Sequence, residues 1–121
     1  MSFEARTERS GSATVVVFTG DLDIASEDDA AAALDAAIGE DGGVLVADLR
    51  ELAFLDSTGV RVLLTADLLA KEKGVRFGVA RGDGVVRRLL DVTRIDQRLP
   101  VVDDPSELTE AEPPAASGAT Q

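Results

Sequence analysis

The run Asp48-Leu49-Arg50-Glu51-Leu52-Ala53-Phe54-Leu55-Asp56-Ser57-Thr58-Gly59-Val60 sets two hydroxyl side chains after an acidic one, where an apolar strand pattern gives way to a helical one. A hydroxyl at such a junction has two uses. It can cap the helix by accepting a hydrogen bond from a free backbone N–H, with Gly59 then serving only to let the helix approach its neighbours. It can also take a phosphoryl group, which the N–H groups and the positive end of the helix dipole would stabilise without disturbing the core. Spacing alone leaves both uses open for Ser57, while Thr58 reads as a cap. The carboxylates that could join Ser57 are Asp56 beside it and Asp21 and Asp23 in Gly20-Asp21-Leu22-Asp23, although Asp is also a common turn and cap residue.

Other chemistry is largely excluded. The 121 residues contain no Cys and no His, which removes disulfides, thiol nucleophiles, Cys/His zinc sites and any imidazole base. Gly82-Asp83-Gly84 lacks the fuller spacing of a phosphate-binding loop. A phosphoaspartate receiver would need an acidic pair after the first buried strand and a lysine after a late one, but the last strand pattern is followed by Asp103 and Asp104. A hydrolase would have to rely on two Asp residues alone. The sequence therefore nominates no catalytic residue, no metal ligand and no cofactor, and it reads as a non-enzyme.

The net charge of −11 opposes binding to nucleic acid. The charge is uneven: positions 1–49 hold eleven acidic and two basic residues, positions 50–102 seven acidic and ten basic, and positions 103–121 five acidic only. Such asymmetry is compatible with steering a basic partner and equally with simple solubility. No stretch has the roughly 20 apolar residues of a membrane span, and positions 1–12 lack a signal core, so a cytoplasmic location without membrane insertion is expected.

Residues of these types need elements to hold them. The patterns predict a hairpin from strands at 3–9 and 14–19 around Ser10-Gly11-Ser12, with Gly20 ending the second strand and 21–25 connecting to a helix that Ser26 caps. That helix carries Ala30, Ala33, Leu34, Ala37 and Ile38 on one face and stops at Gly39. The apolar run 44–49 predicts a central strand buried on both faces. A helix over 57–73 follows, with Val60, Leu63, Leu64 and Leu68 inward and Gly74 as its stop. Then come a strand at 75–79, a helix at 83–92 with Val85, Val86, Leu89 and Leu90 inward, and an edge strand at 99–102 that tolerates Pro100. Asp104, Pro105 and Glu107 suit a capping box for a short last helix anchored by Leu108. The alternation calls for one α/β domain over 1–112 with a mixed, mostly parallel sheet of about five strands, and 113–121 (PPAASGATQ) reads as a flexible tail.

In that order of elements, Leu55-Asp56-Ser57-Thr58-Gly59-Val60 after a strand ending Asp48-Leu49-Arg50, together with Gly20-Asp21-Leu22-Asp23, resembles the STAS domain family of anti-sigma factor antagonists over roughly positions 3–110. The resemblance implies that Ser57 is a phosphoacceptor and that Asp21, Asp23, Asp56, Thr58 and Gly59 belong to the partner-binding surface. The implied partners are an anti-sigma factor serine kinase, which the unphosphorylated protein binds so that a sigma factor is released, and a phosphatase that resets Ser57. Within the same fold, a scaffold or a transporter-partner subunit that is not phosphorylated is the alternative.

Overall fold

The computed structural model describes residues 2–38 and 43–109. Strand β1 (Phe3–Ser10) turns at Gly11 and Ser12 into β2 (Ala13–Leu22), and Gly11 takes the positive φ of 63° that a glycine-first, two-residue hairpin loop requires. Helix α1 (Glu27–Ile38), strand β3 (Val44–Asp48), strand β4 (Leu52–Leu55) and helix α2 (Ser57–Lys73) follow. Strand β5 (Arg76–Ala80), helix α3 (Gly84–Thr93), a 3-10 turn at Ile95–Gln97, strand β6 (Val101–Val102) and helix α4 (Ser106–Thr109) complete the described chain. The expected stop of α1 at Gly39 and the expected tail at 113–121 lie outside the described residues, as does the domain boundary at 112.

The sheet has the order β1-β2-β3-β5-β6 and is mixed, with β1 antiparallel to β2 and the other pairs parallel. Its sixth strand, β4, pairs with the far end of β2. Residues 52–55 read in the sequence as a mere apolar connection, because four residues with only the outer two buried show no alternation. They pair because β2 does not end at Gly20. Gly20 adopts a φ of 90° and the strand continues to Leu22 through a register shift, and a side chain at Gly20 would collide with the Ser2 carbonyl.

The larger core lies on the sheet face covered by α1, α2 and α3, where Phe18, Leu22, Leu34, Leu63 and Leu90 are fully buried. The opposite face carries a smaller cluster, with Val15, Val17, Val44 and Val46 under α4 and Leu108. Two residues expected to face inward do not: Leu68 is 61% exposed and Val85 is 57% exposed. Helix α2 offers more than one apolar stripe, and the phase is set by Gly59, Ala66 and Ala70, whose small side chains let the helix sit close to the sheet. In α3 the buried pair is Val86 and Leu90, which turns Val85 outward.

The short helix α4 is built as its residues suggest. The Ser106 amide donates to Asp104 Oδ1 at 2.9 Å and the Asp104 amide donates to Glu107 Oε2 at 3.1 Å, a closed capping box. Leu108 fills the space above Gly78, where a side chain would strike it. At the end of β3, Asp48 is 2% exposed and accepts from the Arg50 amide and from two nitrogens of its guanidinium, while Arg50 Nη1 reaches Asp104 Oδ2 at 3.3 Å. This bidentate arrangement resolves what would otherwise be a buried, uncompensated charge. The Ser106 hydrogen bonds, with Arg50 nearby, hold the Asp104 carboxyl below the ordinary carboxylate range.

Two predictions follow from this packing. Arg94 ends α3 with a φ of 56°, a conformation that disfavours a side chain, so Arg94→Gly is expected to stabilise the fold by about 0.5–1 kcal/mol in urea denaturation, whereas Arg94→Ala is not. Because the folded pKa of Asp104 lies below its unfolded value of about 3.9, its contribution is complete above that pH and is lost as the pH falls through the folded value. The Ser106 amide resonance should thus hold steady from neutral pH down to about pH 4 and move only below it, and Asp104→Asn should abolish that transition.

Candidate functional site

The site is assembled where β2 and β4 leave the sheet together. Their parallel register pairs Leu22 with Leu55, so the next residues, Asp23 and Asp56, leave the sheet side by side from neighbouring strands. Asp56 is the N-cap of α2. Its backbone is extended, with φ −124° and ψ −170°, and its Oδ1 accepts from the amides of Thr58 at 3.0 Å and Gly59 at 3.2 Å. Its carbonyl accepts the first intrahelical bond, from the Val60 amide at 3.1 Å.

This geometry corrects the capping alternative for Ser57 and Thr58. The cap is Asp56, so Ser57 is the first helical residue, exposed, and its hydroxyl is not required to start the helix. It also alters what the helix end can offer a phosphate, because the Thr58 and Gly59 amides are already taken by Asp56. Thr58 is half-buried. Gly59 is buried, and a Cβ there would strike Leu55 and Leu22, so its smallness is what brings the start of α2 onto the ends of β2 and β4.

On the other side, the connection from β2 to α1 is tied by Ser26. Ser26 stands at the N-cap position the sequence suggested, its carbonyl accepting from the Ala30 amide at 3.0 Å, while its hydroxyl secures the loop, donating to the Asp21 carbonyl at 2.7 Å and accepting from the Asp23 amide at 3.0 Å. The Asp23 carboxylate accepts from the Ala25 amide at 3.0 Å, a local turn that aligns Asp23. Asp21 is still within the strand, opposite Phe54, and its amide donates to the Ser2 carbonyl at 3.3 Å. Asp23, Asp56, Ser57 and Thr58 are thus brought to one end of the sheet; Asp21 lies one step back on the strand and Gly59 beneath.

Two apolar features, Ile24 and Phe54, escaped sequence reading. Ile24 is 77% exposed beside Asp23, and an isoleucine inside a polar connection is the signal that could have marked it. Phe54 is partly exposed on β4, a strand with no legible pattern. Arg61, one turn into α2, reaches Glu27 of α1, with Nη2 3.4 Å from Oε2. Among the described residues no three carboxylates gather as a metal-binding group, and no helix is long and apolar enough to cross a membrane.

Comparison with known proteins places this geometry. The STAS domain family model matches residues 4–108. An anti-sigma F factor antagonist of Paenibacillus polymyxa is 30% identical over 114 residues, which cover 93% of this chain and 97% of that protein. An anti-sigma factor antagonist from Mycobacterium paratuberculosis superposes with a TM-score of 0.82 at 24% identity, covering 91% of this chain and 93% of that one. The Bacillus cell fate determinant SpoIIAA in its phosphorylated form superposes with a TM-score of 0.65 at 16% identity, covering 92% of this chain and all (100%) of that one. At such identities the two structures speak for the shared fold.

The cap is separable from the hydroxyl by mutation. Asp56→Ala is expected to lower stability by about 1 kcal/mol in chemical denaturation, while Asp56→Asn, an equally good N-cap, should stay near the parent. Ser57→Ala should leave the unfolding midpoint within about 0.5 kcal/mol of the parent, as for an exposed residue outside the cap.

Proposed function

The chain belongs to the STAS domain family, and we propose that it is an anti-sigma factor antagonist switched by phosphorylation of Ser57. The unphosphorylated protein binds an anti-sigma factor of the serine-kinase type and thereby releases a sigma factor, which places its action in the cytoplasm. The chain itself is the substrate in this reading, not an enzyme. The observation that carries it is the exposed Ser57 hydroxyl, left out of the helix cap by Asp56 and flanked by Asp23 and Asp56.

In the transfer, Ser57 Oγ forms a bond to the γ-phosphorus of ATP as the bond from that phosphorus to the bridging oxygen breaks. ADP leaves, and the hydroxyl proton passes to a base of the kinase site or to water. Positioning is the chain's own contribution: Asp56 fixes the first turn of α2, and the Ser26 ties fix the Asp23 loop beside it. Asp21, Asp23, Asp56 and Thr58 make up the contact surface around Ser57, and Gly59 shapes it from below.

The product carries about −1.5 to −2 additional charge among carboxylates that already repel it. A dianion at the centre of a contact surface weakens binding by like charge and bulk, with no change in the core. A switch from mostly bound to mostly free needs a loss on the order of a hundredfold, or about 3 kcal/mol, which one misplaced interfacial charge can supply. A phosphatase that hydrolyses the Ser57 ester returns the protein to its binding form.

The test is phosphosite mapping by mass spectrometry after incubation with ATP, magnesium and each candidate anti-sigma kinase of the source cell, with Ser57→Ala as control. Phosphate on Ser57, absent from the control, is the expected result. In binding assays Ser57→Ala should hold the kinase persistently, and Ser57→Asp should bind on the order of a hundredfold more weakly with unchanged circular dichroism. A protein that binds its partner but is phosphorylated by none of the kinases, and whose Ser57→Asp variant binds undiminished, would instead be a STAS scaffold or transporter-partner subunit.

A further inference from the structure

Helix α2 carries Ser57 and Arg61 four residues apart, on adjacent turns of one exposed face. Residues at this spacing are neighbours, and the Cα–Cβ bonds of a helix lean toward its N-terminus, so the Arg61 side chain lies over the turn that holds Ser57. In the unphosphorylated protein the guanidinium crosses to α1 and pairs with Glu27 at 3.4 Å. That is longer than the roughly 2.7–2.9 Å of a strong charge-assisted bond, and the Arg61 side chain is 64% exposed, so water competes for it.

A phosphate on Ser57 meets few donors at the helix end, because the Thr58 and Gly59 amides already serve Asp56. The nearby side chains are otherwise acidic: Asp23 from the loop, Asp56 at the cap and, across from Arg61, Glu27 of α1. Several other cations pair with carboxylates of their own: Arg6 with Glu8 and Glu51, Arg50 with Asp48 and Asp104, Arg81 with Asp103 and Lys71 with Asp67.

We infer that Arg61 is the built-in receptor for the phosphate on Ser57: on phosphorylation its guanidinium leaves Glu27 and pairs with the phosphoserine one turn before it. The inference rests on the proposed modification of Ser57 and names what the modification does to the surface. A dianion outcompetes a single carboxylate for the same cation, and the move is a side-chain rotation on the helix surface. Its consequence is twofold. The phosphate is held in a fixed place, and Glu27 joins Asp28 and Asp29 without its counterion, so the negative field spreads from the start of α2 to the start of α1. A partner attracted to this end of the molecule then meets a larger change than the phosphate alone would make.

The test uses the full chain with phosphoserine incorporated at position 57 during translation, so that it does not depend on any kinase. In a 31P titration the second ionisation of the phosphate, ordinarily near about pH 6, should lie lower by roughly half a unit in the parent than in Arg61→Gln. In 15N spectra Glu27→Gln should move the Arg61 Nε resonance in the unphosphorylated protein and leave it in place in the phosphorylated one. Equal phosphate ionisation in parent and Arg61→Gln, or a Glu27→Gln effect of the same size in both forms, would overturn the inference. Failure of every kinase to modify Ser57 would overturn the functional reading, whatever the outcome of this comparison.

Discussion

The carboxylate of Asp56 decides how the rest of the site is arranged. By accepting from the Thr58 and Gly59 amides it sets the residue at which α2 begins, and so puts Ser57 on the first turn with a hydroxyl that the fold does not consume. A hydroxyl that caps a helix is a structural group, and modifying it would loosen the helix. One residue further on, the same hydroxyl can be modified at the cost of surface contacts alone. With this division of labour between adjacent residues, one holding the helix and one facing solvent, the proposed modification of Ser57 would leave the helix cap and the core in place.

The cap can act only because the sheet brings its neighbours to it. Strand β2 runs ten residues, and Gly20 lets it continue past a close approach of the Ser2 carbonyl to offer an edge for β4. The pairing of Leu22 with Leu55 then sets Asp23 beside Asp56, and Gly59 allows α2 to rest on both leucines. Replacing any of these contacts would displace the site as a unit, since the loop is tied back by Ser26 to the same strand end.

The uneven charge of the chain acquires a physical form in the fold. Several basic residues from position 50 onward pair with carboxylates away from the end that carries Ser57: Arg50 with Asp48 and Asp104, Lys71 with Asp67, Arg81 with Asp103 and Asp91. The acids of α1 have no basic residue on their own helix, and Arg61 is the cation that reaches across to them. Asp23, Asp56 and Glu27 thus lend an acidic character to the end of the domain that carries Ser57, where a phosphate would add like charge.

Much of this was legible in the residue order. The hairpin, the buried parallel strand at Val44–Asp48, the stop of α2 at Gly74 and the capping box of α4 each rest on local chemistry, where one or two residues decide the backbone. Ser57 and its acidic neighbours Asp23 and Asp56 were legible as a motif, and the fold brings them to one end of the sheet. What the order of residues could not decide were matters of phase and partnership. Strand β4 exists only because β2 supplies an edge, Leu68 faces solvent because Gly59, Ala66 and Ala70 fit the sheet better, Val85 because Val86 and Leu90 take the inward face, and the Ser26 hydroxyl binds the loop behind it. Whether Asp56 or Ser57 caps α2, and which carboxylate holds Arg61, depends on where the strand register delivers the chain. Sequence determines the local preference of each segment; tertiary packing decides which of several nearly equal preferences is realised, because only there do the competing partners come within reach of one another.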